Sequence, residues 1–317
     1  MDQRAFALQP QELRSAFAFP GVGVKPSGRE GGFFERYASV MSPYLEAAGL
    51  QADADFPRAV ADDRAASAWS ELQHQLFAYA FNVAVAEVYL HRGLRPSFLA
   101  GHSLGLYSAL TVGRVLPFRQ GLSLVVEAYR LACAACPARD GGLAVVVGLE
   151  ARDIDRLIRQ QSRDSLCRVN ANNELTHVVA GQQAEVARFV AVAREAGALR
   201  THCLPVAVPY HHPEMLASVP AEFRPFLHQF DWAPPTAPIL STIDGQLCTN
   251  GEELLELTAR NIATPINWQG VVDTLIELQV QCIFECGPGV TLSQLGRFHQ
   301  GTPPWINLKN VGHKVGW

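Results

Sequence analysis

Gly101-His102-Ser103-Leu104-Gly105 constrains this chain more than any other stretch, because an apolar run (Phe98, Leu99, Ala100) leads into it and a helix-like run from Leu106 to Val112 leads out. A serine on a sharp strand-to-helix turn is pushed out of the backbone. Glycines on both sides let neighbouring segments approach it, and the helix N-terminus behind it offers free N–H groups to a developing oxyanion. G-x-S-x-G alone occurs by chance in glycine-containing turns. The strand before it and the helix after it make Ser103 a candidate acyl nucleophile.

The rest of the chain reads as α/β. Residues 16 to 19 form a short buried strand that runs into the loop Pro20-Gly21-Val22-Gly23. The mixed pattern from about 24 to 68 predicts short helices and loops, whereas 69 to 92 and 118 to 136 read as long helices. Between 141 and 208 the pattern changes. Leu143 to Gly148, 167 to 171, 177 to 181 and 199 to 207 read as strands, with helices at 151 to 161 and 184 to 197. That βαββαβ order is the signature of a ferredoxin-like module inserted into a larger α/β-hydrolase-like domain with a parallel sheet. The expected division is 1–138 with 209–317 for the large catalytic domain and 139–208 for the small one. Strands at 238 to 241 and 281 to 285, with helices at about 251 to 262 and 269 to 279, complete the large domain.

Composition excludes several function classes. A length of 317 residues with 48% hydrophobic content can bury a large core. The net charge of −4, from 26 basic and 30 acidic residues, gives no reason to expect nucleic acid. No apolar run approaches the roughly 18 residues of a membrane span, and Met1-Asp2-Gln3-Arg4 lacks the order of a signal peptide. A cytoplasmic protein is expected. The seven cysteines then read as reduced thiols. The pairs Cys133/Cys136 and Cys282/Cys286 lie in apolar stretches, so no metal is expected.

A serine nucleophile needs a base. His102 is adjacent to it and would point away across the turn, His74 and His91 sit in the long helix, and His177 and His202 lie in the small module. His211 and His212 differ: they follow Val208-Pro209-Tyr210, where the chain returns to the large domain.

Here the chain resembles the malonyl-CoA:acyl-carrier-protein transacylase family and the acyltransferase domains of polyketide synthases. The matching pieces are Phe19-Pro20-Gly21-x-Gly23, Gly101 to Gly105 with Tyr107-Ser108-Ala109, Val169-Asn170-x-Asn172, Val208-Pro209-x-His211-x-Pro213, Asn261 to Trp268, and Glu285-x-Gly287-Pro288-Gly289, in family order over nearly the whole chain. The resemblance implies that Ser103 attacks an acyl thioester and that His211 takes its proton, then activates the thiol of a carrier-protein phosphopantetheine arm. It implies that a main-chain carbonyl at Asn261 orients the histidine, and that the backbone N–H groups of Val22 and Leu104 hold the oxyanion. No bound cofactor is implied, the partners are acyl carrier proteins, and a monomer is expected.

The chain departs from the family where the acyl group would sit. Val22 replaces a glutamine and Leu106 a glutamate. The match from Leu116-x-Phe118 to Leu124-Val125 and beyond puts Ala128 in place of the arginine that grips the malonyl carboxylate. An unpaired buried carboxylate would cost several kcal/mol, on the order of a thousandfold in selectivity. Arg130, two residues on, would face about 200° away around a helix. Leu106, Ala128, Tyr210 and Gln75 are therefore expected to line a larger, neutral pocket. The expected function is transfer of a bulkier, non-malonyl acyl group between carrier proteins in polyketide or related secondary-metabolite biosynthesis.

The alternative within the fold is an editing hydrolase that clears acyl groups from carrier proteins, with water in place of the thiol. An α/β-hydrolase esterase would need Asp273 or Glu285 with His299 or His313. A binding module without catalysis would retain its activity without Ser103. Carrier proteins are acidic, so the arginines at 152, 156, 159 and 163, and Arg297, are candidate docking cations, equally readable as solvated surface; Arg152, Arg156 and Arg297 are the ones singled out.

Overall fold

The computed structural model describes residues 13–23, 27–62, 69–161 and 165–311. The first elements are β1 (Ser15–Phe19), α1 (Glu30–Ala52), α2 (Phe56–Ala61), α3 (Glu71–His91), β2 (Phe98–Gly101), α4 (Gly105–Val112) and α5 (Phe118–Ala135). There follow β3 (Gly141–Val147), α6 (Ala151–Gln160), β4 (Cys167–Asn173), β5 (Thr176–Gln182), α7 (Gln183–Glu195) and β6 (Arg200–Cys203). The chain then forms α8 (Val219–Leu227), β7 (Ile239–Leu240), β8 (Leu247–Cys248), α9 (Gly251–Asn261), β9 (Ile266–Asn267), α10 (Trp268–Glu277), β10 (Cys282–Glu285), α11 (Thr291–Gly296) and β11 (Trp305–Ile306).

Alternation within β1 explains why it lies inside the large sheet. Phe17 and Phe19 enter the core packed by α1, α3, α4 and α5, while Ala16 and Ala18 face the opposite core around Trp268, Val272 and Leu275 of α10. A strand buried on both faces is what a parallel sheet covered by helices requires. The sheet runs β11-β10-β1-β2-β7-β8, parallel throughout except for the β7/β8 pair. The second sheet runs β6-β3-β5-β4-β9. Its first four strands are antiparallel in the expected βαββαβ connectivity, with α6 and α7 on one face. The fold is thus a large α/β domain with a small one. The fifth strand, β9, pairs parallel with β4 and comes from the C-terminal part of the chain.

Two readings need correction. The region expected to hold short helices contains the 23-residue α1, bent at Tyr37 (φ −122°, ψ 26°) with Pro43 inside it. Gly31, Gly32 and Pro43 lower its local helix propensity, but Phe33, Phe34, Met41 and Leu45 are buried against the core, and that packing overrides propensity. The last strand of the small domain spans 200–203, shorter than 199 to 207, and α8 and α11 have no counterpart in the sequence reading.

Registration positions the site. Phe19 is opposite Gly101, so the loops leaving β1 and β2 emerge side by side at the carboxyl edge of the parallel strands. His102 N–H donates to Phe19 O at 2.8 Å and extends that pairing into the turn. A Cβ on Gly101 would lie 2.2 Å from Leu106 N, and one on Gly105 would lie 2.1 Å from Phe19 O. Gly105→Ala should therefore lower stability by about 3 kcal/mol through backbone displacement. Gly32→Ala, where nothing lies within 4 Å of the new methyl, should raise it by about 0.5–1 kcal/mol. Urea unfolding midpoints of the two variants test both signs.

Candidate active site

Ser103 occupies the left-handed region (φ 57°) between β2 and α4. For a residue with a Cβ this conformation costs about 1–3 kcal/mol and persists only where the surroundings enforce it. Here the enforcement is the close approach of Gly105 to Phe19 and of Gly101 to the Gly105–Leu106 backbone, with the hydrogen bonds of the first turn of α4, Gly105 N to His102 O (2.9 Å) and Leu106 N to Ser103 O (3.0 Å). Leu104 is the N-cap of α4, so its N–H belongs to the set that a helix leaves unused. Gly21 lies against the turn: a Cβ there would be 3.0 Å from His102 O and 3.3 Å from Ser103 Cβ. Val22, next in the chain, is 36% exposed, so its side chain adds no buried polar contact.

His211 is also left-handed (φ 67°), and its N–H donates to Ile262 O at 2.8 Å. Its Nε2 lies 2.7 Å from Ser103 Oγ, and its Nδ1 lies 2.7 Å from Asn261 O. A carbonyl only accepts, so the proton sits on Nδ1, leaving Nε2 to accept from the serine hydroxyl. Asn261 is the last residue of α9, and its carbonyl stands at the negative end of that helix. The partial charge there favours an imidazolium without a carboxylate. The Asn261 side chain reaches the other partner: Nδ2 donates to Ser103 O at 3.2 Å, while Oδ1 accepts from Thr242 Oγ1 at 3.1 Å. One residue thus fixes both the serine turn and the imidazole, and Thr242, which carries no sequence signal, fixes that residue.

Burial lowers the pKa of His211 to about 4; the Asn261 carbonyl opposes that shift and His102 adds to it. His102 turns away from Ser103. Its Nε2 lies 2.9 Å from Asn172 Oδ1 and 3.1 Å from Asn170 Nδ2 on β4, and its ring meets Trp268 edge-on at 5.3 Å. The small-domain asparagines and the start of α10 therefore brace the elbow through His102.

The expected pocket residues separate into two groups. Leu106 and Ala128 are buried in the main core, 0% and 2% exposed. Gln75 and Tyr210 meet through Gln75 Nε2 donating to the Tyr210 hydroxyl at 2.8 Å, and that hydroxyl donates to Glu71 Oε1 at 2.5 Å. Burial pushes the phenol well above its usual range, with Glu71 adding to the shift. Glu71 also pairs with Arg139 at 3.3 Å; neither residue stands out in the sequence. Arg130 is turned outward, bound through two nitrogens to Glu127 at 2.8 and 2.7 Å.

Among the esterase candidates, His299 Nδ1 lies 3.8 Å from Asp273, and its Nε2 faces Asn172 O rather than Ser103. Glu285 binds the start of α11 through Leu292 N and Ser293 N, both at 2.9 Å. His313 and Arg163 lie outside the described residues. Arg152 and Arg156 each pair with a near neighbour, Glu150 and Asp153, at 2.9 Å. Arg297 is exposed directly after α11.

A strained serine at a helix N-terminus, hydrogen-bonded to a histidine that a carbonyl orients, is built for acyl transfer. Residues 61–296 match the acyl transferase domain family, and the chain belongs to that family as an acyltransferase. The malonyl CoA-acyl carrier protein transacylase of Escherichia coli (strain K12) is 28% identical over 282 residues, 88% of this chain and 91% of that protein. The polyketide biosynthesis protein ThaF of Burkholderia thailandensis is 30% identical over 289 residues, 89% of this chain and 24% of that longer protein. A malonyl-transacylase solved in complex with its type II polyketide synthase acyl-carrier protein matches with a TM-score of 0.85 and 26% identity, over 94% of this chain and 98% of that one.

The His211 shift sets the pH behaviour. A base whose pKa is lowered is neutral above that value, so kcat/KM for serine acylation should rise with pH through a limb near 4 and be level by neutrality. Because the unfolded chain binds the proton near 6.5, the same group costs stability as pH falls from about 6.5 towards 4. A kinetic limb at or above 6.5 would contradict the buried neutral imidazole.

Proposed function

We propose that this enzyme moves a neutral, bulkier acyl group between acyl carrier proteins in polyketide or related secondary-metabolite biosynthesis. Ser103 Oγ attacks the thioester carbonyl while its proton passes to His211 Nε2. The tetrahedral oxyanion is held by the N–H groups of Leu104 and Val22, and collapse expels the thiol with the proton from His211. The incoming phosphopantetheine thiol then gives its proton to His211 and attacks the acyl-serine ester, and Ser103 Oγ leaves with the proton that His211 returns. No cofactor of the enzyme's own takes part. The phosphopantetheine arm carries the acyl group.

Transfer rather than another acyl reaction is supported by the family and by the acyl-carrier-protein transacylases among its relatives. The non-malonyl specificity rests on one observation: Ala128 is buried among apolar side chains and the nearby Arg130 is bound outward to Glu127. A malonyl carboxylate placed there would lack the forked cation it needs. The lining then consists of Leu106, Ala128, Tyr210 and Gln75. Exposed ion pairs contribute only about 0–1 kcal/mol, so Arg152 and Arg156 stay available, with Arg297, as docking cations for an acidic carrier. The proposal places the enzyme in the cytoplasm as a monomer, divided into 1–138 with 209–317 and 139–208. Among the described residues no helix is long and apolar enough to cross a membrane.

Intact-protein mass spectrometry tests the proposal, with malonyl-CoA set beside neutral medium-chain and aminoacyl pantetheine thioesters and a holo carrier protein added second. The expected result is a neutral acyl adduct that is absent from Ser103→Ala and moves to the carrier. Ala128→Arg should raise malonyl loading at least tenfold relative to the neutral substrate. An adduct lost to water as fast as to the carrier would make the enzyme a hydrolase, and efficient malonyl loading of the unaltered enzyme would overturn the specificity.

A further inference from the structure

The loop that carries Val22 has no polar side chain at that position, yet one of its N–H groups must point at a reacting oxygen. We propose that Asn82 and Glu30 are the positioning residues that hold this loop in its oxyanion-binding conformation. The inference rests on Val22 as an oxyanion donor.

Asn82 lies on α3 with no exposed surface, and its Nδ2 donates to Pro20 O at 2.9 Å and to Ser108 Oγ at 3.3 Å. The amide orientation follows from chemistry: the Pro20 carbonyl only accepts, so nitrogen must face it. Asn82 Oδ1 is then left buried without a partner, a condition that costs about 1–3 kcal/mol. A leucine of similar size would avoid that cost but would not bind Pro20 O. Peptide units are planar, so fixing the Pro20 carbonyl fixes the Pro20–Gly21 plane. Only the two dihedrals of Gly21 then separate that plane from the Val22 N–H. Gly21 itself rests on Ser103 Cβ, where a methyl would come within 3.3 Å.

Glu30 acts further along the chain, on Ser27 and Arg29 just before α1. It is the first residue of α1 and is 4% exposed. Its Oε1 accepts from Ser27 N at 2.7 Å and Gly289 N at 2.8 Å, and its Oε2 accepts from Arg29 N at 3.0 Å. The two anchors share one platform. A Cβ on Gly287 would lie 2.3 Å from Pro20 Cγ and 2.4 Å from Asn82 Oδ1, so the 287–289 turn is pressed against one anchor and donates to the other.

The test compares Asn82→Asp, which sets an oxygen against Pro20 O without changing shape, with Glu30→Gln. Each is measured alone and together with an amide-to-ester replacement that removes only the Val22 N–H. Readouts are kcat and KM for acylation of Ser103, thermal midpoint, and affinity for an alkyl boronic acid, whose boron accepts Ser103 Oγ to form a tetrahedral anion. Because losing one oxyanion donor outright costs roughly 100- to 1,000-fold, each variant should lower kcat by about 10- to 100-fold. KM should stay within about twofold, boronate affinity should fall in parallel with kcat, and little further loss should appear in the ester background. If the ester lowers kcat but neither side-chain variant does, or if their effects add fully to the ester's and follow the thermal midpoint, the positioning role is overturned. If the ester leaves kcat and boronate affinity unchanged, the reading of Val22 as a donor fails as well.

Discussion

The parallel pairing of β1 with β2 is the constraint on which the site depends. With Phe19 opposite Gly101, the two strands end together, and the loop after one and the elbow after the other share an edge. Each backbone N–H and C=O at that edge needs a partner. His102 N–H bonding Phe19 O meets part of this demand, as do Gly105 N–H bonding His102 O and Leu106 N–H bonding Ser103 O in the first turn of α4. Gly101 and Gly105 are glycines because backbone atoms occupy the positions a Cβ would take. Strain at Ser103 follows from that packing.

Charge is handled by helix ends rather than by ionised side chains. The N–H of Leu104 at the start of α4 has no intrahelical partner, and the end of α9 presents the Asn261 carbonyl to His211. Burial keeps the imidazole neutral until it takes the serine proton. Asn261 ties the two ends through its side chain to Ser103 O, so one residue links the serine turn, the base and the orienting carbonyl. The small domain contributes through Asn170 and Asn172, which hold His102.

Much of this was legible in the sequence where chemistry is local. The elbow, the βαββαβ order and the return of the chain at His211 are written in short runs of residue type. The departures at Ala128, Leu106 and Val22 became visible once the family resemblance supplied a frame. Less legible were elements held by distant packing. The helix α1 is masked by two glycines and Pro43 and forms because Phe33, Phe34, Met41 and Leu45 meet the core. Strand β9, two residues long, exists only because β4 lies beside it.

The sequence by itself determined the nucleophile turn, the two-sheet class and the residue types available for proton transfer, because these depend on neighbours a few positions apart. The family resemblance named His211 and the Asn261 carbonyl; tertiary structure decided that His211 reaches Ser103 across 108 positions and that the Asn261 side chain also holds the serine turn. It also decided that Arg130 faces Glu127 and that Glu71, Thr242, Asn82 and Glu30 surround the site. Hydrogen bonds between distant segments leave no periodic trace in the chain. They are set by how the sheets and helices pack.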